Sequence, residues 1–242
     1  MRASSNITLS TATFDVPGLP LPVLVRRIAT ARRLRLRVDH DRQLLRLTMP
    51  ARGSARVALR WAGEQRGWVE AQLAKIPAAT PFEHGSAIPF RGGVLAIHWD
   101  QAGRRGVRQT GERLSVGGPK ESLARSVERW LIATARDVLS TETARVSALA
   151  GVSVRSVSVG DPVSRWGSCS SAGSIRYSWR LILAPPEALR FVVAHEVAHR
   201  LHMDHSPAFR AAEERLFGGP VAGARALLRE LGPALRRVGR GR

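Results

Sequence analysis

The chain reads as an α+β protein: a β-rich first part with one helix, then a second part that opens on a long helix. Three stretches predict this. In "RRLRLRVDHDRQLLRLTMP", Leu34, Leu36 and Val38 alternate with Arg33, Arg35 and Arg37, the period of a half-buried strand, and a second apolar run follows "DHD" as its hairpin partner. In "ESLARSVERWLIATARDVLSTETARVSALAG", Leu123, Val127, Trp130 and Leu131 recur at helical spacing. In "VVAHEVAHRLHMDHS", His195, His199, His202 and His205 lie on, or just past, a further helix.

Taken in order, residues 1–22 carry no strong period and read as a lead-in. The hairpin follows, then "GSARVALRWAGEQRGWVEAQLAKIP" turns helical, with Ser54 as cap and Val57, Trp61 and Trp68 on one face before Pro77. Residues 84–118 are short apolar runs cut by glycine, so small strands and turns are expected. "GGPK" marks a boundary, which gives a β-rich domain over 23–118 and a second domain over 119–242. After the long helix, Ile175, Tyr177, Trp179, Leu181 and Leu183 alternate with polar residues, and "SSAGS" supplies the turn that pairs this strand with "VSRWGSCS". Pro185 and Pro186 end the strand and open a helix over roughly 186–203.

Composition bounds the function. No apolar run approaches the roughly 20 residues of a membrane span, and the N-terminus lacks a secretory pattern, so a cytoplasmic address is expected. Cys169 is the sole cysteine, which excludes an intrachain disulfide and any cysteine-rich zinc module. The net charge of +19 is carried almost wholly by arginine. It points to a nucleic acid or nucleotide as a partner. The arginines run from Arg2 to Arg242 without interleaved aromatics, however, and that spread favours charge distributed over solvated faces.

His195 and His199 are four residues apart, so a helix projects both from one face, one turn apart. Both imidazoles can then reach one Zn²⁺, and Glu196, rotated by one residue, lies beside it as general base. Such an ion brings the pKa of a bound water from 15.7 to about 7. A catalytic zinc takes three protein ligands. His202 would have to reach back along the helix, and Glu213 or Glu214 belongs to the next helix. His205 closes the tripod if the chain turns at Asp204, a residue that tolerates a left-handed turn. The apolar flanks of "FVVAHEVAHRL" argue that the charged trio is buried with a partner.

These residues resemble the YgjP-like metallopeptidase family, a zincin group distantly related to SprT-type proteases. The likeness rests on "RWGSC" (165–169), "WRLILAPPE" (179–187), "VVAHEVAH" (192–199) and "MDHSPAF" (203–209), and more loosely on "RRLRLRV" and "RGWVEAQL". It implies one zinc ion, His195 and His199 as ligands, Glu196 as base and His205 as third ligand. It also implies a minimal zincin-like fold: long helix, small antiparallel sheet, active-site helix and C-terminal helices. Arg210 and Leu227 stand where tryptophans are common in the family, a departure that bears on the C-terminal helices and not on the histidines.

The function expected is a zinc-dependent peptidase acting on a peptide or unfolded protein, which adds as a strand along "RWGSCS". Arg165, Trp166, Arg176 and Tyr177 are the candidate substrate contacts, with Arg165, Arg176 or Tyr177 available to steady the oxyanion. Trp166 and Trp179 read more naturally as core, and Cys169 as a small buried thiol rather than a fourth ligand. Two alternatives are a metal-dependent nucleoside triphosphate pyrophosphohydrolase, which the resemblance also implies, and a DNA-associated SprT-like protease. The first lacks a glycine-rich phosphate loop.

Overall fold

The computed structural model describes residues 8–39 and 43–240, and these form two compact units, one up to Ile76 and one from Pro77 onward. In the first unit, β1 (Thr8–Phe14), β2 (Val23–Ile28), β3 (Arg35–Asp39) and β4 (Leu44–Pro50) make a sheet of order β1-β2-β4-β3. β1 pairs antiparallel with β2, β3 pairs antiparallel with β4, and β2 and β4 run parallel. The expected hairpin is therefore present, and its turn lies outside the described residues. The lead-in reading of 1–22 is corrected. Residues 8–14 are a strand whose threonine-rich sequence lacks apolar alternation, and Val16, Leu19 and Leu21 pack against the core; residues 1–7 lie outside the described residues.

α1 (Ala55–Glu64) and α2 (Arg66–Ala74) replace the single expected helix, with the break at Gln65. Ser54 occupies the N-cap position without a side-chain cap bond. The buried face is also not the expected one. Ala58, Ala62 and Val69 close on Val23, Leu45, Leu47 and Met49, while Val57 and Trp68 are exposed. Small side chains let the helix lie close to the sheet, and the strands' own leucines fill the layer.

In the second unit, β5 (Ala87–Phe90), β6 (Gly93–Asp100), β7 (Gly106–Thr110) and β8 (Arg113–Gly117) form a sheet of order β5-β6-β8-β7. Its apolar residues Ile88, Leu95, Ile97, Leu114 and Val116 join one core with the long helix α3 (Leu123–Ala150) and the histidine helix α4 (Pro186–Ala198). The compact division thus falls at Ile76/Pro77, whereas the sequence placed its boundary at 118/119. The glycine-rich "GGPK" marks a turn inside one core rather than a gap between two.

β9 (Ser156–Gly160), β10 (Gly167–Cys169) and β11 (Ser174–Ser178) form the third sheet, of order β10-β11-β9. β10 and β11 pair antiparallel through the expected turn, but β9 runs parallel to β11, so the sheet is mixed and not antiparallel. Residues Trp179–Leu183 are a 3-10 turn, not the continuation of β11, and all five are buried. α4 is shorter than the expected 186–203, ending at Ala198 with His199 as its cap residue. α5 (Pro207–Phe217) and α6 (Ala222–Leu235) complete the fold, burying Phe209, Ala212, Leu216, Ala224 and Leu228. Arg210 is exposed and Leu227 half-buried, so neither position calls for a tryptophan here.

Arg180 ties the chain's end to this unit. Its buried guanidinium donates to both oxygens of Asp161 (2.7 and 3.1 Å) and to the carbonyls of Leu235 and Val238 (3.0 and 2.7 Å). No helix among the described residues is long and apolar enough to cross a membrane.

Candidate metal centre

α4 is apolar nearly all round, as a helix at the centre of a unit must be, with Pro186 at its first turn. Two turns from its start the apolar run is broken by His195, Glu196 and His199. The rings of His195 and His199 lie 4.9 Å apart, one turn from each other. Beyond His199 the chain tightens: the amides of Leu201 and His202 both donate to the carbonyl of Ala198 (3.0 Å each). The turn at Asp204 is not left-handed, as among the described residues only Gln43 and Arg91 are non-glycine residues with positive φ. Instead the Asp204 carboxylate accepts from the amide of Ser206 (3.2 Å), and Ser206 caps α5 by accepting from Phe209 (3.3 Å). These two local bonds turn the chain so that His205 faces back toward α4.

The result is a cluster in which one ligand atom from each of His195, His199 and His205 lies within 4.8 Å of the others. The Nε2 atoms of His195 and His205 are 3.5 Å apart. Two donors on a tetrahedral ion with bonds of about 2.1 Å stand about 3.4 Å apart, so this pair already meets the requirement. The far side of the rings fixes their protonation. His195 Nδ1 faces the Glu213 carboxylate at 2.7 Å, and His199 Nδ1 faces the carbonyl of His202 at 3.2 Å. Both partners accept, so each Nδ1 carries the proton and each Nε2 keeps its lone pair. The donor set therefore fits a metal ion. Burial holds His199 below the ordinary imidazole range, which keeps it neutral and able to ligate.

Glu213 and Glu214 were candidates for the third ligand. Glu213 is buried behind His195, where its second oxygen accepts from Arg225 at 2.9 Å. Burial works to raise its carboxyl, but the hydrogen bond and charge of His195, together with Arg225, outweigh that and hold it below its usual range. His202 enters only through its backbone carbonyl. Phe209 went unnoticed in the sequence, yet its ring lies 5.1, 4.6 and 4.8 Å from those of His195, His199 and His205 and floors the cluster. The spacing could have revealed it: Ser206 and Pro207 start a helix on which Phe209 and Glu213, four apart, share one face.

Glu196 is only 4% exposed, and burial pushes its carboxyl up to about 7, against the opposing pull of His195 and Arg165. It lies under β10. Gly167 makes the room, because a Cβ at that position would collide with the Glu196 carboxylate.

The four substrate candidates separate. Arg165 is exposed and close enough for its charge to act on Glu196. Trp166 packs on Gly232 of α6 and is stacked by Arg236 at 4.4 Å, which is a packing role. Tyr177 is fully buried, its hydroxyl 3.0 Å from that of Thr143, and burial pushes its pKa up. Arg176 alternates with Tyr177 along β11 and lies over Gly160 of β9, on the face turned away from α4. Arg165 and Tyr177 both interact electrostatically with Glu196, and of these two only Arg165 is exposed. Cys169 is half-buried, and burial raises its thiol pKa; it is not among the clustered donors.

Residues 32–230 match the YgjP-like metallopeptidase domain. The chain belongs to that family. Comparison with curated proteins and with solved structures gave no match. Membership in the YgjP-like family implies a metal-dependent hydrolase of the peptidase class and a bound metal ion, for which the histidine triad offers the donors. The matched span starts within the first unit, just before β3, and runs through most of α6, so the YgjP-like domain draws on both compact units.

Proposed function

We propose that this YgjP-like protein is a zinc-dependent peptidase in which His195, His199 and His205 hold the ion and Glu196 is the general base. The observation that carries the reading is the convergence of three imidazoles, two with their Nδ1 protons committed to acceptors behind them. An all-imidazole set suits zinc, whereas phosphoryl chemistry usually calls on Mg²⁺ and carboxylates; this favours peptide over nucleotide hydrolysis. When bound, the ion supplies Lewis-acid polarisation of the scissile carbonyl and a water acidified from 15.7 to about 7.

The chain's own groups do the rest. Glu196, poised near neutrality by burial, takes a proton from the attacking water as its oxygen bonds to the carbonyl carbon. It then passes that proton to the amide nitrogen as the C–N bond breaks. Arg165, whose charge acts on Glu196, would steady negative charge beside it. β10 is an edge strand of its sheet, so a peptide can add along Gly167–Cys169 by main-chain hydrogen bonds.

Glu196→Gln should retain zinc and lose hydrolysis of an unfolded protein such as casein by about 10²–10⁴-fold. His205→Ala should lose zinc, measured by metal analysis of the purified protein. Full activity in the first variant or full zinc content in the second removes that residue from the mechanism.

A further inference from the structure

The first unit carries a concentration of charge that the catalytic reading does not use. Between Met1 and Ile76 the sequence has fourteen Lys and Arg against five Asp and Glu. The sequence favoured a diffuse spread, but the fold gathers part of this charge. Its sheet has one apolar face, closed by α1 and α2, and the alternate residues of β2, β3 and β4 must point the other way. On that open face Arg26, Thr48 and Arg35 form one cross-strand row, and Arg46 stands directly opposite Arg37 in the next. Arg32 and Arg33 add to them from the loop after β2. These six arginines line a cavity of about 420 Å³ whose other lining residues are neutral.

Like charges directly opposite one another on a sheet destabilise it. Arg46 is relieved by Asp39, with which it forms an ion pair. Arg32, Arg33, Arg35 and Arg37 are exposed and make no hydrogen bond or ion pair with any described residue. A face built this way is stable in water but is organised for an anion.

We propose that this arginine-lined groove binds the phosphodiester backbone of a nucleic-acid duplex without regard to sequence. Guanidinium forks match phosphate oxygens bidentately. The spacing selects the ligand. Arg37 and Arg46, on neighbouring strands, stand about 4.8 Å apart, Arg26 and Arg35, with Thr48 between them, about 9.6 Å, and alternate residues along a strand about 6.7 Å. A duplex offers one negative charge per about 1.7 Å of axis. An extended acidic peptide turns a carboxylate to one face only every second residue, about 6.7 Å; it matches the arginines of one strand but offers no second row for those on the neighbouring strands. No aromatic side chain lines the cavity, so bases have no ring to stack on, and the reading is of the backbone alone. This inference is independent of the peptidase reading and is tested without a turnover assay.

The test uses the full chain and a short fluorescent DNA duplex, titrated by anisotropy between about 50 and 200 mM salt. Arg33→Gln/Arg35→Gln/Arg37→Gln should weaken binding about 10- to 100-fold at the lower salt and make the slope of log K against log salt shallower by about three. Arg32→Gln/Arg33→Gln, confined to the loop, should make it shallower by about two. Arg52→Gln/Arg56→Gln/Arg60→Gln removes the same charge from the loop before α1 and from α1 itself, in the same unit, and should leave the slope near wild type. Equal losses from the groove and α1 triples would overturn the proposal, and so would wild-type binding by the groove triple. It is also overturned if a single strand binds more tightly than the duplex, or if polyglutamate or tripolyphosphate of matched charge binds as tightly.

Discussion

Strands β1–β4 and β5–β8 are wired alike: in each sheet two antiparallel hairpin pairs are joined by a parallel central pair. What differs is where the apolar face goes. In the first sheet it closes a small core of its own with Ala58, Ala62 and Val69. In the second it merges into the large core that also holds α3, the 3-10 turn at Trp179–Leu183 and α4. One strand order can therefore serve as a self-contained module or as a wall of a catalytic scaffold, depending only on which helices cover it.

The largest test of that contrast compares two buried leucines. Leu47 and Leu114 are both fully buried, one in each sheet. Either change to alanine should cost about 2–5 kcal/mol in denaturant unfolding. Only Leu114→Ala should also weaken zinc affinity, measured by competition with a chromophoric chelator, because its core is the one that carries α4. An equal loss of zinc affinity in Leu47→Ala would break the contrast.

A smaller effect separates two carboxylates. Asp39 in the first unit and Glu213 in the second are each buried and each hold an arginine, Arg46 and Arg225. Glu213 additionally holds the ring of His195, a proposed zinc ligand, through its Nδ1. Glu213→Gln should lower zinc affinity about 10- to 100-fold. Asp39→Asn should leave zinc affinity unchanged and shift stability alone. Unchanged zinc affinity in Glu213→Gln would reduce Glu213 to packing.

The parts of the molecule legible in the sequence are those whose cause is local. Arg33–Val38 alternates because one face of β3 is buried and the other is wet. "HEVAHRLHMDH" is readable because helical spacing and one turn suffice to gather three of its four imidazoles. The misreadings come from distant partners. Trp179–Leu183 continues the alternation of β11, and Arg180 looks like its solvent-facing position. In fact Arg180 is buried by Asp161 and by carbonyls of Leu235 and Val238, more than fifty residues away, which no local pattern encodes. The same holds for the charge. Arginines at alternate positions of β3 read as a solvated face, and only the pairing of β3 with β4, and of β4 with β2, reveals that they share a groove.

The finest discrimination is between the open faces of the two sheets. The second sheet also has a basic hollow, of about 290 Å³, lined by Arg104, Arg105, Arg108 and Arg113 together with His98 and Asp100. Here a carboxylate sits inside the hollow, with Asp100 bound to the amide of Ala102 at 3.0 Å, and it would repel an incoming phosphate. Row for row the charge is also thinner, since Arg108 faces Ser115 and Ser115 faces His98. Arg104→Gln/Arg105→Gln/Arg108→Gln should therefore change duplex affinity by no more than about 2- to 3-fold, and the salt slope by less than about one. A slope change as large as that of Arg33→Gln/Arg35→Gln/Arg37→Gln would mean that the two faces act alike on polyanions. The converse change is equally informative. Asp100→Asn should raise duplex affinity modestly, because it removes the negative charge that distinguishes this hollow from the arginine groove; unchanged affinity would leave the thinner rows of arginine as the sole difference between the two faces.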